Sequence, residues 1–265
     1  MSASVDLYVA RRSWLHELDP RTKLAFTLLS LILLLSFEHL LLMVSFLVVA
    51  HLILLSARIP WSRIRWIWER MLPLTVLILV LWPLFYREGE GILLEVWRVR
   101  VTAFSLREGA AMALRVNGLA FACFILLLST SQSELVRGLV KWGLPFSWGL
   151  TLAIALRYLP TLYGIYTTIS EAQQARGWVI GRGDLGKRLR SYMPVLVAVI
   201  ITALRMADNL SLALAARAFG ARRDRTCLKE VHFRTVDGVL LVGMAGLFLA
   251  LMVARFYFGF GAEPW

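Results

Sequence analysis

Leu40-Leu41-Leu42-Met43-Val44-Ser45-Phe46-Leu47-Val48-Val49-Ala50-His51-Leu52-Ile53-Leu54-Leu55 contains no charged residue except through titration of its one histidine. It lies within an apolar stretch, 39–57, close to the roughly 20 residues that a bilayer-crossing helix needs. Outward from it, four more stretches read the same way: 22–37, 71–86, 109–129 and 236–258. The first and third are short and draw on their flanks. Glu38-His39 makes a polar turn between the first two. The whole chain of 265 residues is 59% hydrophobic and 17% charged, with a mean hydropathy of +0.69. A soluble domain of this size could not hide that much apolar surface. The expected fold class is an all-α integral membrane protein with about five transmembrane helices. The first 20 residues carry Asp6, Arg11, Arg12, Glu17 and Asp19 with no early apolar core, so the first span is expected to act as its own insertion signal. Cys123 and Cys227 lack metal-ligand spacing and read as reduced structural residues.

Charge sets the expected orientation. Loop 58–70 carries Arg58, Arg63, Arg65 and Arg70 against Glu69, whereas loop 87–108 balances four Arg with four Glu. Positively charged loops stay in the cytoplasm. This places the N-terminus and loop 58–70 inside, loop 87–108 outside, 130–235 inside and the C-terminus outside. The same rule accounts for most of the net charge of +12, because 130–235 alone holds 15 Lys/Arg and 6 Asp/Glu. These charges are spread along apolar helices rather than interleaved with aromatic platforms, which argues against nucleic acid as a partner. Trp61, Trp66 and Trp68 in loop 58–70 read as an interfacial belt.

The segment 130–235 is too long for a simple loop and too apolar for disorder. It reads as three helices. A short amphipathic one covers 133–142, capped by Ser131 or Ser133 and carrying Glu134. A long one covers 147–175, with Pro160 inside it. A third covers 190–218, with Pro194 near its first turn. The link 181–186 is polar and glycine-rich. Both long helices resemble spans, and counting them as such would leave the C-terminus outside as before. Their mid-helix charges, Arg157 in one and Arg205 with Asp208 in the other, are costly in lipid. Helices lying along or beneath the cytoplasmic face are therefore expected, with Arg205 and Asp208 spaced to pair locally. The domains so defined are 1–129 (N-terminal segment and four spans), 130–235 (cytoplasmic module) and 236–265 (last span and tail).

Both long helices end on one scheme, Ala-x-x-Ala-Arg-small. The first copy closes with Ala175-Arg176-Gly177 and the second with Ala216-Arg217-Ala218. Glycine suits the left-handed position after a helix, and a cation complements the C-terminal dipole. The repeat also suits docking: small residues leave the tip slim, and the arginine fork can meet a carboxylate or carbonyls. Capping and docking are compatible. In the fourth span, Arg115 and Asn117 read either as snorkelling or interhelical hydrogen-bonding groups or as a contact to a membrane partner.

These residues together resemble a family: the transmembrane scaffold, or T component (EcfT/CbiQ-like), of energy-coupling factor (ECF) transporters, the ABC-type importers of vitamins and metal ions such as cobalt. The resemblance covers nearly the whole chain. It begins with Leu15-His16-Glu17-Leu18-Asp19-Pro20-Arg21-Thr22-Lys23-Leu24 and continues through Thr130-Ser131-Gln132-Ser133-Glu134-Leu135, Gly143-Leu144-Pro145 and Ala155-Leu156-Arg157-Tyr158-Leu159-Pro160. Pro194-Val195-Leu196 and Ala203-Leu204-Arg205-Met206-Ala207-Asp208 fit between the two Ala-Arg-Gly-type signatures. Ala218 departs from the pattern, where the family has glycine, and puts the cap geometry there in question.

The resemblance implies a coupling module at 130–235 whose two long helices cross. Each arginine tip would dock into one of two cytoplasmic ABC ATPase subunits, while the membrane surface holds a separate membrane-embedded substrate-binding (S) subunit. Glu134, Arg157, Arg205 and Asp208 would support the coupling. The setting implied is the inner (plasma) membrane of a prokaryote. Catalysis by the chain itself is not expected, nor a cofactor or metal. It has no Gly-rich Lys-Ser/Thr phosphate loop and no His/Cys cluster. His16, His39, His51 and His232 fall on different elements, which disfavours a metal-dependent lipid enzyme. The spans lack the mid-membrane polar path of a stand-alone transporter.

Overall fold

The computed structural model describes residues 8, 9, 11, 13–85, 92–96, 99–178, 184–220 and 233–258. In chain order the elements are α1 (Trp14–Glu17), α2 (Pro20–Ser36), α3 (Leu40–Ser56), α4 (Trp61–Phe85), β1 (Ile92–Val96), β2 (Val99–Thr102), α5 (Ala103–Ser129), α6 (Gln132–Lys141), α7 (Phe146–Ala175), α8 (Leu185–Ala216) and α9 (Thr235–Phe258). The chain divides into two compact units. One holds α7 and α8; the other holds α1 to α6 and α9.

Membrane character is plain in the helices. Trp61–Phe85, Ala103–Ser129, Leu189–Ala216 and Thr235–Tyr257 are each long and apolar enough to cross a bilayer, and Leu40–Ser56 is a shorter apolar helix. The five expected spans fall on α2, α3, α4, α5 and α9; of these, α4, α5 and α9 have that length and apolarity, α3 is the shorter apolar helix, and α2 is not among them, whereas α8, expected at the cytoplasmic face, is. Three further details differ from the sequence reading. Residues 61–70, expected as loop, form the first turns of α4, where Arg65 and Glu69 pair at 2.8 Å one turn apart. The helix tolerates them because its polar residues share a solvated face. The neutral loop 87–108 contains the two-stranded antiparallel ribbon β1–β2, with Val96 opposite Val99, and its last residues belong to α5. Helix α8 begins at Leu185, so Pro194 lies well inside it.

The larger unit is built around α5, which packs on α2, α3 and α4. Its buried cluster includes Leu54, Ile64, Ile67, Phe121, Ile125 and Leu128. Trp66 and Trp68 are partly buried against this core. The Trp68 indole N–H donates to His51 Nε2 at 3.0 Å, and His51 Nδ1 donates to the Leu47 carbonyl at 2.8 Å. The Phe121 ring lies 4.5 Å from the imidazole. Asn117 is an interhelical clamp: its amide donates to Thr75 on α4 at 2.9 Å and to the Ala113 carbonyl. Arg115 donates to the carbonyl of Phe37 at 3.0 Å and so closes the C-terminus of α2. Of the two readings open for this pair, the helix-bonding one describes their contacts here.

A buried polar knot joins the ends of these helices. Asp237 is fully buried in the first turn of α9. One carboxylate oxygen accepts the Asp19 N–H at 2.9 Å and the Thr22 hydroxyl at 3.4 Å; the other accepts the Arg234 N–H at 3.0 Å. Asp19 and Arg234 stand just before α2 and α9 respectively, so one carboxylate gathers two helix N-termini, where orphan N–H groups and the dipole favour an anion. Lys23 plays the converse part. Its buried ammonium donates to the Ser129 carbonyl at 3.0 Å and the His16 carbonyl at 3.3 Å, closing the C-terminal ends of α5 and α1. Helix α6 joins here through Gly138, where an added Cβ would lie 2.9 Å from Pro20. The sequence reading grouped α6 with the two long helices. By packing it belongs with α2, and the boundary between the units falls at Leu144/Pro145.

Replacing Asp237 by alanine strands two helix N-termini in a buried site. It should cost about 3 kcal/mol, read as a lowered melting temperature of the detergent-solubilised protein, with Asp237→Asn costing less. A second expectation concerns His16, whose Nε2–H donates to Val9 O at 2.9 Å while Nδ1 accepts from the Ser13 hydroxyl at 2.7 Å. Burial, and then the charge of Lys23, push its pKa below the usual 6.5. The unfolded chain therefore binds the proton more readily. Its contribution to stability is present in full above about pH 6.5 and is lost as the pH falls below that value. Melting curves across pH 5 to 8 should show this slope in the wild type and a shallower one in His16→Asn.

Candidate functional site: two arginine-tipped helix ends

Helices α7 and α8 have 30 and 32 residues, about 45 Å each by helical rise. They run antiparallel. The start of α7 meets the end of α8, where the rings of Phe146 and Phe219 stack with centroids 6.5 Å apart. At the other end, the Trp178 indole donates to the Ser191 carbonyl at 2.8 Å. Ile154, Tyr158 and Leu162 of α7 line a cleft of about 140 Å³ with Ala203, Met206, Ala207 and Leu210 of α8. Antiparallel pairing sends the two motif ends in opposite directions, so Arg176 and Arg217 sit at opposite ends of the unit.

Each end is closed by the same backbone device. Arg176 is the C-cap of α7, with Gly177 at φ +83° after it. The Gly177 N–H donates to Gln174 O at 2.9 Å and the Trp178 N–H to Gln173 O at 3.0 Å. At α8 the C-cap is Arg217, and Ala218 takes φ +54°. The Ala218 N–H donates to Ala215 O at 2.9 Å and the Phe219 N–H to Leu214 O at 3.0 Å. Both are Schellman motifs with an aromatic residue at the second position beyond the cap. The departure at Ala218 therefore leaves the cap geometry unchanged. Alanine adopts the left-handed conformation that glycine adopts at the other tip, at a cost of about 1–2 kcal/mol.

Ala175, Arg176, Gly177, Ala216, Arg217 and Ala218 are all exposed. Among the described residues, neither motif guanidinium makes a hydrogen bond or ion pair. Both forks are free to meet an acceptor. The other candidate residues are scattered. Arg157 is exposed on α7 beside the cleft-lining Tyr158. Arg205 and Asp208 are exposed on α8, and no ion pair within 4.0 Å joins them among the described residues, contrary to the expected local pair. Both side chains are exposed, and a surface pair gains too little to hold them together. Glu134 lies in the other unit with a structural duty. Its carboxylate accepts the Ser131 N–H at 3.1 Å while Ser131 Oγ accepts the Glu134 N–H, a capping box that starts α6 and identifies Ser131 as the cap. No group of three or more His, Cys, Asp or Glu able to hold a metal occurs among the described residues. Cys123 is a free thiol; Cys227 lies outside the described residues, as do residues 181–183 of the glycine-rich link. Sequence reasoning missed the burial of Asp237. An acid in the first turn of an otherwise apolar helix was the available signal.

If the tips are otherwise equivalent, Ala218→Gly should relieve the left-handed strain at α8. About 1 kcal/mol of local stability would slow amide exchange at positions 218 and 219 roughly fivefold, with exchange at 177 and 178 unchanged.

Comparison with known proteins agrees with this architecture. The family model described as "Cobalt transport protein" (CbiQ) matches residues 11–227. The chain is 31% identical to the energy-coupling factor transporter transmembrane protein EcfT of Listeria innocua, over 91% of this chain and 93% of that protein. It is 27% identical to the protein of the same name from Streptococcus equi, over 91% and 93% of the two chains. It is also 27% identical to the one from Staphylococcus aureus, over 94% and 96%. The chain belongs to the CbiQ cobalt transport protein family, as an EcfT/CbiQ-like transmembrane component of energy-coupling factor transporters.

Proposed function

We propose that this chain is the coupling subunit of an ECF-type importer, passing ATP-driven movement of two cytoplasmic ATPase subunits to a membrane-embedded substrate-binding subunit that carries a vitamin or a metal ion. The observation that carries this reading is the pair of exposed, unengaged arginines, each on the same C-terminal cap, at opposite ends of one antiparallel helix pair. A separation on the order of 40 Å suits two separate partner grooves better than one. Arg176 and Arg217 each enter an ATPase groove, with Ala175, Gly177, Ala216 and Ala218 keeping the tip slim enough to seat. The rigid α7–α8 pair then turns a movement at its tips into a movement along its length, because a packed helix pair shifts as a body. Arg157, Arg205 and Asp208 keep the pair at the cytoplasmic face. Although Leu189–Ala216 is apolar enough to span, burying its mid-helix charges in lipid would be costly. The N-terminus faces the cytoplasm of a prokaryotic cell and the C-terminus lies outside, consistent with the loop charges.

The double variant Arg176→Ala, Arg217→Ala should insert normally yet lose the ATPases. Removing one side of a buried charged contact costs about 2–5 kcal/mol, roughly 30-fold to several thousand-fold in affinity. Arg176→Lys should restore only part of it, since lysine lacks the planar fork. Co-purification from the native host reads both. Wild-type ATPase yield with the double variant would defeat the docking assignment.

A further inference from the structure

The larger unit has an apolar groove between its helices. A cavity of about 210 Å³ is lined by Trp14, Leu15, Lys23, Ile53 and Leu240, together with Phe26 and Met244. A second, of about 220 Å³, shares Phe26 and Met244 and continues between α2, α3 and α9 as far as Leu33, Leu42 and Leu251. From Leu240 to Leu251 the groove follows α9 for about 16 Å, close to half of the roughly 30 Å hydrocarbon core. Its length is the depth of one leaflet. Its walls are mostly aliphatic and aromatic along that length. They suit a hydrocarbon chain.

The groove is polarised. It starts where the helix ends meet, beside Trp14, whose indole donates to Ser56 Oγ at 3.2 Å. Two residues beyond Ser56 stands Arg58, exposed and in the left-handed region at φ +56°. The exposed Arg11 guanidinium donates to the Arg58 carbonyl at 3.1 Å, which places a second cation at this end. The acids there are engaged elsewhere. Glu17 pairs with Arg234 at 3.0 Å, and Asp19 and Asp237 are buried in the knot. Neither arginine lines the cavity itself; both lie beyond Trp14 at this end, and cations with an indole next to a leaflet-deep apolar groove have the layout of a phospholipid's own headgroup and tail.

We propose that this groove is a binding site for one anionic phospholipid, its phosphate held by Arg11 and Arg58 and one acyl chain lying along α2, α3 and α9. The lipid fills the cavities that side chains leave open, and it ties the N-terminal segment and the α3–α4 turn to α9. The site differs from a general interfacial belt in being stoichiometric and selective for headgroup charge.

The test is native mass spectrometry of the full chain, stripped with detergent and then titrated with phosphatidylglycerol or phosphatidylcholine. The wild type should retain one phosphatidylglycerol, with phosphatidylcholine bound much more weakly. Arg11→Gln with Arg58→Gln, both exposed positions that leave the core intact, should weaken phosphatidylglycerol about 30-fold, near fivefold per arginine, and abolish the preference. Met244→Trp, which fills the junction of the two cavities, should block both lipids. Equal retention of the two lipids by the wild type would overturn the proposal, as would unchanged phosphatidylglycerol binding in the arginine double variant. If Met244→Trp instead sheds co-purified protein subunits and keeps its phosphatidylglycerol, the groove seats a protein and the lipid assignment fails.

Discussion

Helix ends inside an apolar fold must be satisfied, and in this protein two side chains satisfy four of them. Asp237 collects the N-termini of α2 and α9; Lys23 collects the C-terminal carbonyls of α1 and α5. An anion at positive helix ends and a cation at negative ones is the arrangement that the helix dipole favours. In a bilayer, where water cannot reach buried peptide groups, the alternative is an unsatisfied group costing several kcal/mol. The relative placement of α2, α5 and α9 in this unit depends on that knot, and with it the groove those helices leave between them.

Four other C-terminal ends use a different device. Schellman bonds close α3 at Arg58, α6 at Gly143, α7 at Gly177 and α8 at Ala218. The backbone outcome is the same whether the left-handed residue is glycine or not. What distinguishes α7 and α8 is the residue one step earlier: only there, among these four, is the C-cap an arginine. At α3 the arginine takes the left-handed position itself and offers its carbonyl to Arg11. An arginine at the cap projects from the end of the helix, and with alanine and a small residue on either side nothing crowds its fork. Cap and exposed arginine tip are thus one structure, which explains why the motif tolerates Ala218.

Much of this was legible in the chain itself. Long apolar runs mark α3, α5 and α9, because a membrane helix must be apolar over its whole exposed surface. The Ala-x-x-Ala-Arg-small repeat marks the ends of α7 and α8, because capping is a local property of a few residues. Residues 61–70 were misread because arginines and tryptophans in the first turns of a helix look like a loop when only the charge pattern is read; the Arg65–Glu69 pair and the inward Trp68 become visible only once the turn exists. The pairing of Arg205 with Asp208 failed for the opposite reason, since correct spacing does not supply the energy to hold two exposed side chains together.

The sequence by itself determined the membrane class, most of the helices and the two arginine tips, all of which follow from composition and from contacts within a few residues. Only the tertiary structure decided that α6 packs with α2, that Asp237 is shared between two helices more than 200 positions apart, and that the two tips point in opposite directions. Those facts depend on which distant elements meet. Residue spacing cannot encode that, because the partner that satisfies a buried charge is chosen by packing and not by its place along the chain.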